Sequence, residues 1–152
     1  MTTAELELRH WLNRAFYADK KAKALDALVQ QCRERAQGLT TNWECNDTGK
    51  SDGAENGTEN ALLRLAEIEL KARLEKAEAV RISTEVYDAI SKLDDDDLKS
   101  VLINRYILFY TIEQTAEIMN YAPRTVKLKQ KQAIERLIKL KGANYAENTD
   151  II

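Results

Sequence analysis

A chain of 152 residues with 32% charged residues, five glycines, one proline and a formal net charge of -2 can hold one ordinary domain, or a small domain plus an extended helical element. So few helix-breaking positions predict an all-α fold. No segment reaches the roughly 20 apolar residues that cross a bilayer, and MTTAELELRH lacks the basic-then-apolar order of a secretory signal, so no membrane partner and a cytoplasmic location are expected.

The first element is predicted over residues 1–39. Apolar residues recur at Trp11, Ala15, Ala18, Ala22, Leu25, Val29, Cys32, Ala36 and Leu39, with spacings that alternate four and three. That is a heptad seam, which keeps one narrow stripe turned toward a partner helix along its whole length. Residues 40–60, TTNWECNDTGKSDGAENGTEN, carry Gly49, Gly53 and Gly57 in the company of Asn, Asp and Ser. They read as a flexible loop, in which Trp43 and Cys45 are unusual for a bare linker. A second seam over 61–93 follows: Ala61, Leu65, Ile68, Ala72, Glu75, Ala79, Ile82, Val86, Ala89 and Leu93, broken only by Glu75. Two seams of similar length around a loop predict a long antiparallel, coiled-coil-like helical hairpin, each arm roughly 50 Å long at about 1.5 Å per residue. The alanines allow close backbone approach but bury little area each, so a second copy or the C-terminal segment is expected to support the hairpin.

Charge divides the chain. Residues 1–97 carry 14 Lys/Arg against 20 Asp/Glu, whereas residues 98–142 carry 9 against 3. The C-terminal segment is therefore a separate, basic electrostatic object. Asp94 to Asp97 precede it; lacking the alternation and glycine of a calcium loop, they read as helix capping rather than as a metal site. No other residues suggest a cofactor, a metal or catalysis. Cys32 and Cys45 have no CxxC spacing, His10 is the only histidine, and there is no Gly-rich phosphate loop, so the chain reads as a non-enzyme. Cys32 is assigned to the apolar seam, and the N-x-T tripeptides at Asn46 and Asn56 to chance.

Within a predicted domain at 94–142, three helices are expected. Leu98, Val101, Leu102 and Arg105/Tyr106 mark the first, Ile112 to Met119 the second and Arg124 to Leu140 the third, with a disordered tail over 143–152. The last two helices are joined only by Asn120, Tyr121, Ala122 and Pro123, which demands a steep crossing. Ala116 supplies a small side chain at the crossing, Asn120 tolerates a left-handed turn, and Val126 is a β-branched plug for the corner. Those three types at those spacings form a helix-turn-helix pattern.

The segment LDDDDLKSVLINRYILFYTIEQTAEIMNYAPRTVKLKQKQAIERL, residues 93–137, resembles region 4 of sigma-70-type factors. The layout of the whole chain resembles small phage transcriptional regulators of the ArpU and RinA type. The resemblance is carried by Arg105-Tyr106, Thr111-Ile112-Glu113, Ala116-Glu117-Ile118, Tyr121, Arg124-Thr125-Val126 and Ala133-Ile134. Asn120 stands in place of the usual turn glycine, Ala122 in place of a Ser or Thr cap, Phe109 where glycine is frequent, and Lys129 where an apolar residue is common. The resemblance implies a sequence-specific regulator encoded by a phage or prophage, acting in the bacterial host cell.

On the third helix Val126, Ala133, Ile134 and Leu137 are assigned to the core. Arg124, Thr125, Lys127, Leu128 and Lys131 are assigned to an outer, DNA-facing surface, with Arg124 over a guanine edge and Leu128 against a thymine methyl. Lys127, Lys129, Lys131 and Arg136 are assigned to phosphates of double-stranded DNA, the stem of Lys129 packing while its ammonium reaches solvent. The heptad helices are expected to form a homodimer or to bind a partner. Two other readings stay open: an adaptor or scaffold that grips host RNA polymerase without specific DNA readout, and a small terminase-like DNA-packaging subunit.

Overall fold

In a computed structural model of the chain, the backbone is described over residues 2–45 and 52–149, and side chains over 2–38, 57 and 59–142. Among the described residues the structure is all-helical: α1 (Thr3–Cys45), α2 (Asp52–Ser91), α3 (Asp96–Leu102), a π-helical turn (Ile103–Ile107), α4 (Ile112–Met119) and α5 (Pro123–Thr149). Trp43, placed by sequence in the loop, lies outside the described side chains, as does that of Cys45.

Three of these helices run further than their sequence signals indicate. The loop expected over 40–60 shrinks, because α1 continues to Cys45 and α2 begins at Asp52. The tail expected from residue 143 is helical backbone as far as Thr149. Gly38, Gly57 and Gly142 all lie inside helices with nothing within 4 Å of an added Cβ. An isolated glycine costs a helix only about 1 kcal/mol relative to alanine, which long neighbouring turns can absorb.

The chain divides into two compact units. One is the hairpin segment Ala18–Ala79. Its helices pair antiparallel within the chain: Arg33 donates to Glu69 through Nε and Nη2 at 3.0 and 2.9 Å, and seven residues away in each helix Lys76 reaches Asp26 at 2.9 Å. Between the helices Ala22, Val29, Ala36, Ala72 and Ala79 are buried, while Leu25, Cys32, Leu65 and Ile68 are half-buried. The seam is therefore real within this unit. Its one charged member, Glu75, is accommodated by Lys21 at 3.1 Å.

The other unit joins the residues up to Tyr17 to those from Val80 onward. The boundary drawn from sequence at 93/94 is corrected accordingly. Leu8, Leu12 and Ala15 of α1 and Val86, Ile90 and Leu93 of α2 share one core with Leu98, Leu102, Tyr106, Ala133, Ile134 and Leu137. Leu12 and Ile90 are fully buried although neither belongs to a heptad seam. A helix clasped on two sides needs a wider apolar face than the stripe that serves one partner. α1 opens with a capping box, in which the Thr2 amide donates to Glu5 Oε2 at 3.1 Å and the Glu5 amide to Thr2 Oγ1 at 3.3 Å.

Candidate nucleic-acid interface

The basic helix α5 is held by three local devices. At the start of α3, Asp95 Oδ1 accepts from the amides of Asp97 (2.9 Å) and Leu98 (3.2 Å), satisfying two donors that the first helical turn leaves free. At the start of α4, Thr111 and Gln114 form a second capping box, at 3.0 and 3.1 Å. At its end Asn120 adopts φ 57°, ψ 41°, and the amide of Tyr121 donates to the carbonyl of Ala116 at 2.9 Å. That left-handed residue with its six-to-one bond reverses the chain in four residues, as the spacing Ala116–Asn120–Val126 requires. Ala116, Val126 and Val101 pack together at the corner, flanked by Ile112, Met119 and Tyr121.

The start of α5 has no side-chain cap from Ala122, whose carbonyl accepts from the amides of Thr125 and Val126. Pro123 suits the first turn because that position has no use for an N–H. Before α4, Phe109 is held at φ 59°, a conformation that costs a non-glycine residue roughly 1–2 kcal/mol. Its ring is half-buried against the core and meets Phe16 edge to face at 5.4 Å, packing that a glycine lacks.

One polar network fixes the rotation of α5. Gln130 is buried, accepts from Arg105 Nε at 3.1 Å and donates to the Tyr106 hydroxyl at 3.2 Å; Arg105 Nη1 also donates to the Tyr110 carbonyl at 2.7 Å. A buried amide satisfied at both ends tolerates little rotation of its helix, since turning it strands polar atoms. Sequence alone singles out Arg105 and Tyr106, as the end of the expected first helix, and gives no sign of Gln130, whose residue type suggests a surface position.

With that rotation set, Val126, Ala133, Ile134 and Leu137 face inward, each buried as assigned. Arg124, Lys127, Leu128 and Lys131 are exposed, Leu128 by 57%, and at 100° per residue they occupy one side of the helix. Thr125, Lys129 and Arg136 fall on the flank. The Lys129 ammonium is paired at the surface: Nζ lies 3.4 Å from Asp97 Oδ2 and 5.1 Å from the centre of the Tyr121 ring, whose hydroxyl donates to the same carboxylate oxygen at 2.9 Å. Arg136 Nη1 similarly lies 3.7 Å from Asp95. The N-cap Asp95 and the first-turn Asp97 of α3 thus pair with two of the cations assigned to phosphate. The hydrogen bond from Tyr121 to Asp97 favours the neutral phenol and raises its pKa above the ordinary 10.0, with desolvation adding in the same direction.

The exposed side of α5 is a row of cations around one leucine, ended by the exposed acid Glu135, which the charge count alone does not locate. Such a row can attract a polyanion and place one apolar side chain against it. No family model matches the chain, and neither the curated proteins nor the solved structures include a match to it.

Proposed function

We infer that the chain is a double-stranded-DNA-binding transcriptional regulator whose α4–α5 corner acts as a helix-turn-helix. The observation that carries this is the orientation of α5. The left-handed Asn120 and the Gln130 network leave Arg124, Lys127, Leu128 and Lys131 together on an exposed face at the start of the second helix of the corner. That is where a recognition helix meets base edges. Arg124 has the planar fork that pairs with guanine, Leu128 suits a thymine methyl, and Lys127 and Lys131 act on phosphates. Lys129 and Arg136 are secondary, because each must leave an aspartate first. The sigma-region-4 resemblance, which also implies a phage or prophage origin, supports the same reading, as does the concentration of basic residues after position 98. The long helices serve oligomerisation or partner binding.

Exchanging Lys127 and Lys131 for Glu and measuring duplex binding by fluorescence anisotropy at low salt tests this. Loss of binding is expected, because phosphate contacts supply most of the attraction at low salt. Unchanged affinity would sink the surface. The exposed Leu128 amid the cations favours a second reading, an adaptor that grips host RNA polymerase. Retention of the polymerase by the wild-type chain, its loss in Leu128→Asp and no salt-sensitive DNA binding are the outcomes that select it.

A further inference from the structure

The helix α2 carries a second apolar stripe within the hairpin unit, on the side away from α1. Leu63, Ala66, Leu70, Leu74 and Ala77 are all exposed, the leucines by 59%, 57% and 63% in that order. At 100° per residue the five lie within an arc of about 80°, centred opposite the seam of Leu65, Ile68, Ala72 and Ala79. Counted from Leu70 their offsets are seven and four residues before and four and seven after, so the stripe reads the same in both directions. Reversal about Leu70 sets Leu63 against Ala77 and Ala66 against Leu74, large against small at each layer, with leucine on leucine at the centre. A stripe complementary to its own reverse is what a twofold axis demands.

The charges beside the stripe select the same arrangement. In an antiparallel pair each flank meets the same flank of its partner, reversed. Glu67 then comes within two residues of Lys71 of the second copy, Arg64 within two of Glu78, and on the other flank Glu69 within two of Arg73, each made twice by the symmetry, against one Lys71–Lys71 and one Glu69–Glu69 approach across the axis. A parallel pair sets opposite flanks side by side, where the like pairs Glu67–Glu69 and Lys71–Arg73 cancel the opposite pairs Lys71–Glu69 and Glu78–Lys76. The balance of charges therefore favours the antiparallel pair.

We propose that α2 is the dimerisation helix of this protein, pairing antiparallel with α2 of a second copy about a twofold axis at Leu70, so that the two α2 helices lie together and each α1 stays on the outer side of its own α2. This deepens the oligomerisation part of the function proposed above and is independent of its DNA-binding part. The dimer is measured without DNA, and charge reversal on α5 reads DNA alone.

Sedimentation equilibrium of the full chain at tens of micromolar is expected to give twice the 17.4 kDa chain mass, and Leu70→Glu or Leu74→Lys to give the single-chain mass with unchanged helical circular dichroism. Glu67→Lys should weaken the dimer several-fold and Glu67→Lys with Lys71→Glu restore it. The axis itself is read from a spin label at Gly57→Cys, with Cys32 and Cys45 exchanged for Ser, since Gly57 has nothing within 4 Å of an added Cβ. An antiparallel pair centred on Leu70 places the two labels about 40 Å apart at about 1.5 Å per residue, whereas a parallel pair places them about 10–15 Å apart. A single-chain mass for the wild type, an undiminished dimer in both stripe variants, or the short label distance would each overturn the proposal.

Discussion

The two units of the chain bury apolar residues of different size. In the unit built around α3 and α5 the fully buried side chains are large or branched, among them Leu12, Ile90, Leu98, Leu102 and Ile134. In the hairpin unit the buried seam is Ala22, Val29, Ala36, Ala72 and Ala79. Burying a leucine or isoleucine contributes roughly 1.5–3 kcal/mol, and an alanine methyl about 0.8. The first unit therefore has the material of an independent core, whereas the hairpin depends on close backbone approach and cross-helix ion pairs.

That contrast orders the effects of substitution. Leu12→Ala or Ile134→Ala should destabilise the first unit by about 2–5 kcal/mol in urea titration, because each leaves a cavity in a closed core. A loss below about 1 kcal/mol at both positions would mean that the core is loosely packed. Gln130→Ala should cost about 1–3 kcal/mol in the same assay, since Arg105 and Tyr106 would be left without their shared partner. Val29→Ala should cost the hairpin about 1–2 kcal/mol, read as faster amide exchange confined to residues 18–79. Smallest of all is the effect of Tyr121. With its folded pKa raised, the contribution of the phenol is present below the unfolded pKa and disappears as pH rises through the folded one. Ultraviolet titration should show a tyrosine ionising above the ordinary 10.0 whose ionisation moves down in Asp97→Asn.

Local pattern makes much of this legible. The seam residues of the hairpin unit can be read because a heptad repeats wherever a helix meets one partner. Asn120 can be read because few residue types tolerate its backbone conformation. Leu8, Leu12 and Ile90 cannot, since their burial depends on helices far along the chain that no periodicity in α1 or α2 encodes. Gln130 hides for a similar reason: its partners lie 25 and 24 residues earlier, and an isolated glutamine signals exposure. Lys129 carries the same lesson for the candidate interface. Its charge is plain, but its direction is set by Asp97, 32 residues away. Helix ends are hard to place where single glycines look decisive and are outweighed by their neighbours.

The division of α5 into an outer face and a flank is what the functional reading stands on, and the salt dependence of duplex affinity measures it directly. Each cation removed from a phosphate should lower the slope of log affinity against log salt by about 0.9. Lys127→Ala with Lys131→Ala is therefore expected to reduce the slope by nearly 2, roughly twice that increment, and Lys129→Ala with Arg136→Ala to leave it almost unchanged, since those two cations face Asp97 and Asp95. Equal reductions in the two double variants, or a slope that neither of them alters, would contradict the account.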